Sequence, residues 1–434
     1  MVAEHLTLRN NTSTPIVLKR IERFQAEEKS FGASAFNTLA SNFTQVLTNQ
    51  TRSASVAIIH HDSRPFEENH VDIHLEPFET KKTELRSFID SEKERMRLIF
   101  EVEGQKYQIQ TPVPTEESAT MKALSENPQF QFTGVYVTPE SFLAIYSSAN
   151  LNTWMHELRD DTLVSALSIP GTHNSPTCHI APPSVRCQAV SPREQLENGV
   201  RFFDIRVQPQ YPEDAARDEL VLVHSVFPIS LTGNKYFRDL MREVNEFLER
   251  NPSETLIVSV KREGPGNATD EQLSRILHDH YARPDSRWWV RPKIPTLGEA
   301  RGKVILVRRF NLQENLKGEH GGNGWGIDAA AWADNTAHAM CPSGQLCIQD
   351  FYEVMEKPSI EQKINNFWKT NTWPEKIAAK VNPAIVDYLC RRKRDGDADC
   401  STGILVTDWV GLDGNWDLVR CIVGMNAKLR LRQK

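Results

Sequence analysis

The chain has 434 residues, 39% of them hydrophobic and 25% charged, with a formal net charge of -6. This is more than one ordinary domain in a globular balance, and its mild acidity offers no basic field for nucleic acid. The opening residues, MVAEHLTLRNN, lack a basic segment followed by an apolar one, and no run of about 18 apolar residues occurs; the expectation is a protein without an export signal, cytoplasmic or peripherally bound to a membrane.

Residues 1–148 read as short β-type segments, LTLRN, PIVLKRI, SVAIIHH, VDIHLEPF, RMRLIFEVEG, KYQIQTPV, FQFTGVYVTP and FLAIYSS, broken by polar, Pro- and Asn-rich turns. They predict a small all-β, sandwich-like domain. It gathers no reactive side chains, and its role stays open.

Over residues 149–434 the rhythm changes. The apolar runs LVSALSI, VRFFDIRV, LVLVHS, TLIVSVK, VILVRRF, LCIQDFY and GILVTDWV are set apart by longer segments. Of these, YFRDLMREVNEFLER, SIEQKINNFW and NWDLVRCIVGM have helical periodicity. Alternating β and α predicts a parallel sheet, either doubly wound or closed as a (β/α)8 TIM-type barrel.

The polar residues favour the barrel. His173 follows the first run, Asp204 and Arg206 lie in the second, and His224 ends the third. Lys261, Arg309, Asp350 with Tyr352, and Asp408 occupy the corresponding places in the later runs. Strand carboxyl ends meet at one mouth in such barrels. A doubly wound sheet would instead place a Gly-rich phosphate loop after its first strand, whereas GEHGGNGWG comes late and lacks the Walker lysine.

Asp204 and Arg206, two apart on a strand, share a face opposite Phe203, Ile205 and Val207. They are a structural ion pair or part of a site. Two histidines at strand ends beside an arginine can act as general base, general acid and anion clamp, with Asp204 and Asp408 orienting the imidazoles. The residues alone reach phosphodiester chemistry and no further.

Taken in order, LSIPGTHNS, GVRFFDIRVQP, LVLVHS and NPSETLIVSVKRE resemble the X region of bacterial-type phosphatidylinositol-specific phospholipases C. The similarity continues through GKVILVRRF, IQDFYEV, NPAIVDYL and ILVTDWVGLDGNW. The resemblance implies an enzyme that releases diacylglycerol and inositol 1,2-cyclic phosphate. It makes His173 the base, His224 the acid, Arg206 the phosphate clamp, and Asp204 and Asp408 the carboxylates beside the acid and the base. It assigns Lys261, Arg309, Asp350 and Tyr352 to the headgroup. One departure is Asn174, where bacterial members usually have Asp and animal-type members have a calcium-ligating Asn. Arg206 cannot ligate calcium and occupies the place of its charge, so catalysis without a metal or cofactor is expected.

The expected partner is phosphatidylinositol in a membrane surface, with glycosylated anchors left open, acted on by a monomer. Trp373 matches a rim tryptophan of the bacterial enzymes. Trp288 and Trp289, flanked by Arg287, Arg291 and Lys293, form either a second interfacial patch or part of the core. Cys178/Cys187, Cys341/Cys347 and Cys390/Cys400 could pair and leave Cys421 over, but an odd count favours reduced thiols, and no spacing is that of a structural zinc site. The competing readings are a barrel that binds without turnover and a metal-dependent barrel phosphodiesterase.

Overall fold

A computed structural model of the chain describes residues 5–30, 55–59, 63–87, 93–111, 118–137, 141–147, 150–178, 181, 185–283, 286–350, 374–391 and 401–429. The chain divides into two compact units, Met1–Ser148 and Ala149–Lys434.

The first unit is all β. One five-stranded sheet runs β6 (Thr80–Arg86), β1 (His5–Asn10), β12 (Phe142–Ser147), β11 (Phe132–Val137), β9 (Ser118–Thr120). A second runs β10 (Lys122–Ala123), β8 (Gln105–Thr111), β7 (Glu94–Val102), β2 (Ile16–Gln25), β5 (Glu67–Leu75), and β3 (Glu27–Ser30) and β4 (Ser55–Ile58) form a separate ribbon. Leu6, Leu8, Leu143 and Ile145 from the first sheet meet Leu18, Ile21, Leu98 and Phe100 from the second in one core, as the period of two requires. The sheets approach so closely that a Cβ at Gly134 would collide with Ile109.

The second unit is built on a mixed sheet. Strands β23 (Gly403–Thr407), β13 (Ser168–Thr172), β14 (Phe202–Pro209), β17 (Leu256–Arg262), β19 (Val304–Arg309) and β20 (Ile327–Asp328) pair in that order and all in parallel. Leu256, Ile257, Val258 and Val260 are all buried, which is the near-continuous apolar run of a strand covered on both faces. The helix Phe237–Arg250 buries Phe237, Leu240, Met241, Val244, Phe247 and Leu248, a stripe at helical spacing. The helix Asp417–Gly424 lies within NWDLVRCIVGM, whereas SIEQKINNFW falls outside the described residues.

One strand departs from uniform parallel order. β15 (Leu220–His224) runs antiparallel to β14, with Val207 opposite Leu222 and Pro209 opposite Leu220, and continues into β16 (Phe227–Pro228). His224 therefore reaches the site by coming back down from beyond the rim. β21 (Thr336–Met340) and β22 (Cys347–Asp350) form a separate hairpin.

At the amino ends of the strands, Arg201 and Glu254 form a fully buried ion pair, 2.9 Å from Arg201 Nη2 to Glu254 Oε2. Arg201 also donates to the carbonyls of Leu196, Val200, Leu151 and Asn152, and Glu254 accepts from the Met155 N–H. The short strand β18 (Trp288–Trp289) sits at this same end, in register with Val304 and Ile305 at the start of β19.

Candidate active site

The carboxyl ends of β13 and β23 bring His173 and Asp408 together. Their pairing ends with Thr172 opposite Thr407, so the next residue of each strand leaves from the same rim. His173 Nδ1 donates to Asp408 Oδ1 at 2.9 Å, and the His173 N–H donates to the Thr407 carbonyl at 3.1 Å. Gln188 Nε2 ties the two strand ends further, donating to the carbonyls of His173 and Thr407 at 2.8 and 3.0 Å.

Arg206, Lys261 and Arg309 are register partners across β14, β17 and β19, so three cations stand in one row. Two carboxylates hold them. Asp204 Oδ2 accepts from Arg206 Nε and Nη2 at 3.2 and 3.1 Å and from the Asn174 N–H at 3.1 Å, and Asp204 Oδ1 lies 3.6 Å from Arg309 Nη1. Glu263 takes the other edge of the guanidinium, 3.2 Å from Arg206 Nη1, and also holds Lys261 Nζ at 3.0 Å and the Ser225 N–H at 2.9 Å. Burial opposes the charge of Asp204, but Arg206, His173 and Arg309 bring its pKa down to about 2.

His224 faces His173 with ring centroids 6.0 Å apart and planes at 71°. Burial, with the cationic His173 and Arg206 beside it, lowers the His224 pKa to about 4. Burial also works against the charged form of His173, yet the Asp408 carboxylate and the Cys187 sulfur beside it together hold that imidazole well above its ordinary value. The Cys187 side chain lies against His173, and burial pushes this thiol up, so that it stays protonated at neutral pH. Of the two imidazoles, His173 is the one whose charged form its surroundings favour.

Backbone strain marks the same residues. Asn174, Ser225 and Trp409, each directly after His173, His224 or Asp408, have φ of 37°, 54° and 53°. Side chains other than Gly adopt this left-handed region at a cost, and Trp especially so. The turn after each strand is thus sharpened where a reactive side chain must be aimed. Asn174 contributes beyond its N–H: its Nδ2 donates to the Val223 carbonyl at 3.3 Å, linking the His173 turn to the residue before His224.

Among the described residues, His173, Cys187 and His224 form the group with metal-ligating potential, their ligand atoms lying within 4.8 Å of one another. The carboxylates do not cluster in this way, because Asp204, Glu263 and Asp408 are each engaged by a cation or an imidazole. A base, an acid and a fixed guanidinium on one rim fit in-line displacement at a phosphodiester.

Residues 164–310 match the family described as phosphatidylinositol-specific phospholipase C, X domain. The chain carries a phospholipase C X domain. It is 33% identical over 181 residues to a 1-phosphatidylinositol phosphodiesterase of Listeria monocytogenes, covering 40% of this chain and 53% of that protein, so the match spans about half the length of that relative. A protein of the same name from Staphylococcus aureus is 25% identical over 321 residues, covering 64% of this chain and 95% of the relative. The solved structure of a double mutant of the phosphatidylinositol-specific phospholipase C from S. aureus is similar with a TM-score of 0.48 at 24% identity, covering 64% of this chain and 97% of that one.

In and beside the X domain, the structure brings together His173, Asn174, Asp204, Arg206, His224, Lys261, Arg309 and Asp408. Asp350 joins them through Trp332, whose Nε1 donates to Asp350 Oδ2 at 2.8 Å while the Arg309 guanidinium stacks over its ring at 4.0 Å. Tyr352 and Trp373 lie outside the described residues, as does Cys400. Trp288 and Trp289 are a correction. They stand at the start of β19, in register five and four residues, or about 16 and 13 Å, before Arg309. Trp289 is buried, with its Nε1 donating to the Lys293 carbonyl; core packing accounts for the pair better than membrane contact. Cys178, Cys187, Cys341, Cys347, Cys390 and Cys421 are free thiols.

Sequence reasoning missed Glu263, Trp332, Cys187 and Gln188. Glu263 had a readable signal, since it is two residues after Lys261 and shares its face just as Arg206 shares that of Asp204. Cys187 and Gln188 come from a loop with no periodicity, and nothing local points them at His173.

Proposed function

We propose that the chain is a phosphatidylinositol-cleaving phosphodiesterase acting at a membrane surface without a metal, its parallel sheet closing as a (β/α)8-type barrel. The observation that carries this reading is the joint placement of His173 on Asp408, His224 across from it, and Arg206 clamped between Asp204 and Glu263. The name shared by the Listeria and Staphylococcus relatives supports the same substrate. Convergence of β13, β14, β17, β19, β22 and β23 on one polar rim supports barrel closure.

The substrate's own 2-hydroxyl attacks phosphorus, giving up its proton to His173, and the bond to the diacylglycerol oxygen breaks as His224 protonates it. Arg206 holds the non-bridging oxygens as their charge grows. The surroundings of the two imidazoles favour a proton on His173 over one on His224. An anionic phosphodiester beside Arg206 and His224 offsets the cations that depress His224 and draws that proton across, leaving His173 free to act as base. Lys261, Arg309 and Asp350 serve the inositol hydroxyls. Because Asp204, Glu263 and Asp334 set three carboxylates against the three cations of the row, little positive charge is left over for further phosphates, and unphosphorylated inositol suits the site.

A second reading exchanges the two roles, making His224 the base and His173 the acid; the resting place of the proton favours it. The decisive test of the activity is incubation with phosphatidylinositol vesicles in EDTA, followed by phosphorus NMR. The expected first product is inositol 1,2-cyclic phosphate with diacylglycerol, since the hydroxyl is an intramolecular nucleophile. Acyclic inositol 1-phosphate from the outset, or activity lost in EDTA and restored by calcium, overturns the reading.

A further inference from the structure

We propose that His173, His224 and Cys187 form an inhibitory site for a thiophilic divalent cation of the zinc type. The three side chains come from separate parts of the X domain: the end of β13, the end of the antiparallel β15, and the loop that crosses the ends of β13 and β23. Their ligand atoms nonetheless lie within 4.8 Å of one another. Two imidazoles and a thiolate, formed as the metal displaces the Cys187 proton to water, are a donor set that zinc takes in tetrahedral geometry, with a fourth position left for water. Such a site has ligand atoms about 3.3 to 3.7 Å apart, so the group must close by roughly an ångström. With His173 held by Asp408, that closure falls to the half-buried ring of His224.

Two further observations favour a metal here. Asp408 holds His173 Nδ1 at 2.9 Å, which leaves Nε2 for a metal and reproduces the carboxylate–histidine–metal arrangement that fixes the ring and strengthens it as a ligand. Cys187 is fully buried and its loop is fixed by backbone bonds, the Cys187 N–H to the Thr177 carbonyl at 3.2 Å and the Trp409 N–H to the Cys187 carbonyl at 2.9 Å. The sulfur is thus presented to the histidines by a rigid frame. Catalysis as proposed above has no task for it.

A bound cation would take the lone pair with which one imidazole accepts a proton and displace the proton that the other delivers. It would also place positive charge where the leaving oxygen must be protonated. Acid–base catalysis stops while the fold is untouched, and a chelator restores it. The inhibitory part of the proposal rests on the phosphodiesterase reading, whereas metal binding itself does not.

The test uses the full chain. Cobalt(II) added to the metal-free protein should give a near-ultraviolet thiolate-to-cobalt charge-transfer band, and zinc should displace it. The band should disappear in Cys187→Ser and in His224→Gln and should persist in Cys347→Ser. The Cys347 control matters because its Sγ lies 3.2 Å from His338 Nδ1, a second thiol–imidazole pair, exposed on the hairpin of β21 and β22. Circular dichroism confirms that each variant is folded. Zinc should lower phosphatidylinositol cleavage about tenfold or more, reversibly with EDTA. Losing one ligand should raise the concentration for half-inhibition about tenfold or more relative to each variant's own metal-free rate. No cobalt band, a band that survives Cys187→Ser, or a band present without inhibition overturns the proposal. A cobalt band in a protein that cleaves no phosphatidylinositol removes the functional reading together with the inhibition, and leaves the metal site standing.

Discussion

His173 and Asp408 are 235 residues apart in sequence and joined at 2.9 Å in the structure, because β13 and β23 pair in parallel up to Thr172 and Thr407 and both strands turn sharply directly after His173 and Asp408, at Asn174 and Trp409. The carboxylate fixes the ring and stabilises its charged form. Asp408→Asn keeps the shape but loses the charge and can present its NH2 to the ring. Turnover on phosphatidylinositol should fall about 10² to 10⁴-fold, with the thermal midpoint little changed. A fall of less than tenfold would remove Asp408 from the mechanism.

The two assignments of base and acid differ in a measurable way. A substrate whose bridging oxygen to diacylglycerol is replaced by sulfur has a leaving group that departs without a proton, so the residue acting as general acid becomes dispensable. With His224 as the acid, His224→Ala should lose about 10²-fold or more on the oxygen substrate and recover most of that loss on the sulfur one, while His173→Ala stays impaired on both. The opposite pattern would establish the exchanged roles.

Legibility in the sequence follows the physics of each element. Strands such as LIVSVKR, buried on both faces, announce themselves as apolar runs, and a charged residue at the end of such a run is conspicuous; this is why His173, Asp204, Arg206, Lys261, Arg309 and Asp408 could be named. The direction of β15 was not legible, because an apolar run reads the same whether it pairs in parallel or not, and His224 was found for its position at a strand end while its approach to the site was read wrongly. Trp288 and Trp289 were open to two readings for a related reason: a tryptophan flanked by Arg and Lys looks interfacial, yet here Arg291, Lys293 and Lys303 lie around the ring of a buried Trp289. Trp332 bridges Arg309 and Asp350 from a loop, where no pattern exists to be read.

The Arg201–Glu254 pair makes a stability prediction separate from catalysis. Both side chains are wholly buried, and Arg201 spends its remaining donors on backbone carbonyls. Removing one partner leaves the other charge buried and unpaired, so Arg201→Ala should destabilise the second unit by about 3–5 kcal/mol, seen as a lower urea midpoint. Turnover per folded molecule should hold, because the pair sits at the amino end of the sheet. An unchanged midpoint would mean that Glu254 finds another partner or takes up a proton.

The turn after His224 makes the last prediction. Val226, Phe227 and Leu231 are 58%, 51% and 66% exposed, and together they place a small apolar finger just past a residue of the reaction. Phe227 is paired with His224 across β15 and β16, so it serves the site and is a poor probe of anything else. Val226 and Leu231 are free of that role. Full burial of such side chains is worth about 1.5–3 kcal/mol each, and half-burial in an interface roughly half as much. Val226→Ser combined with Leu231→Ser should therefore weaken binding to phosphatidylinositol vesicles about 10- to 100-fold in a sedimentation assay. Hydrolysis of soluble inositol 1,2-cyclic phosphate, which needs the same rim but no bilayer, should change less than twofold. Equal losses in both assays would place the two residues in the site's own packing, and undiminished vesicle binding would move the membrane contact to another part of the rim.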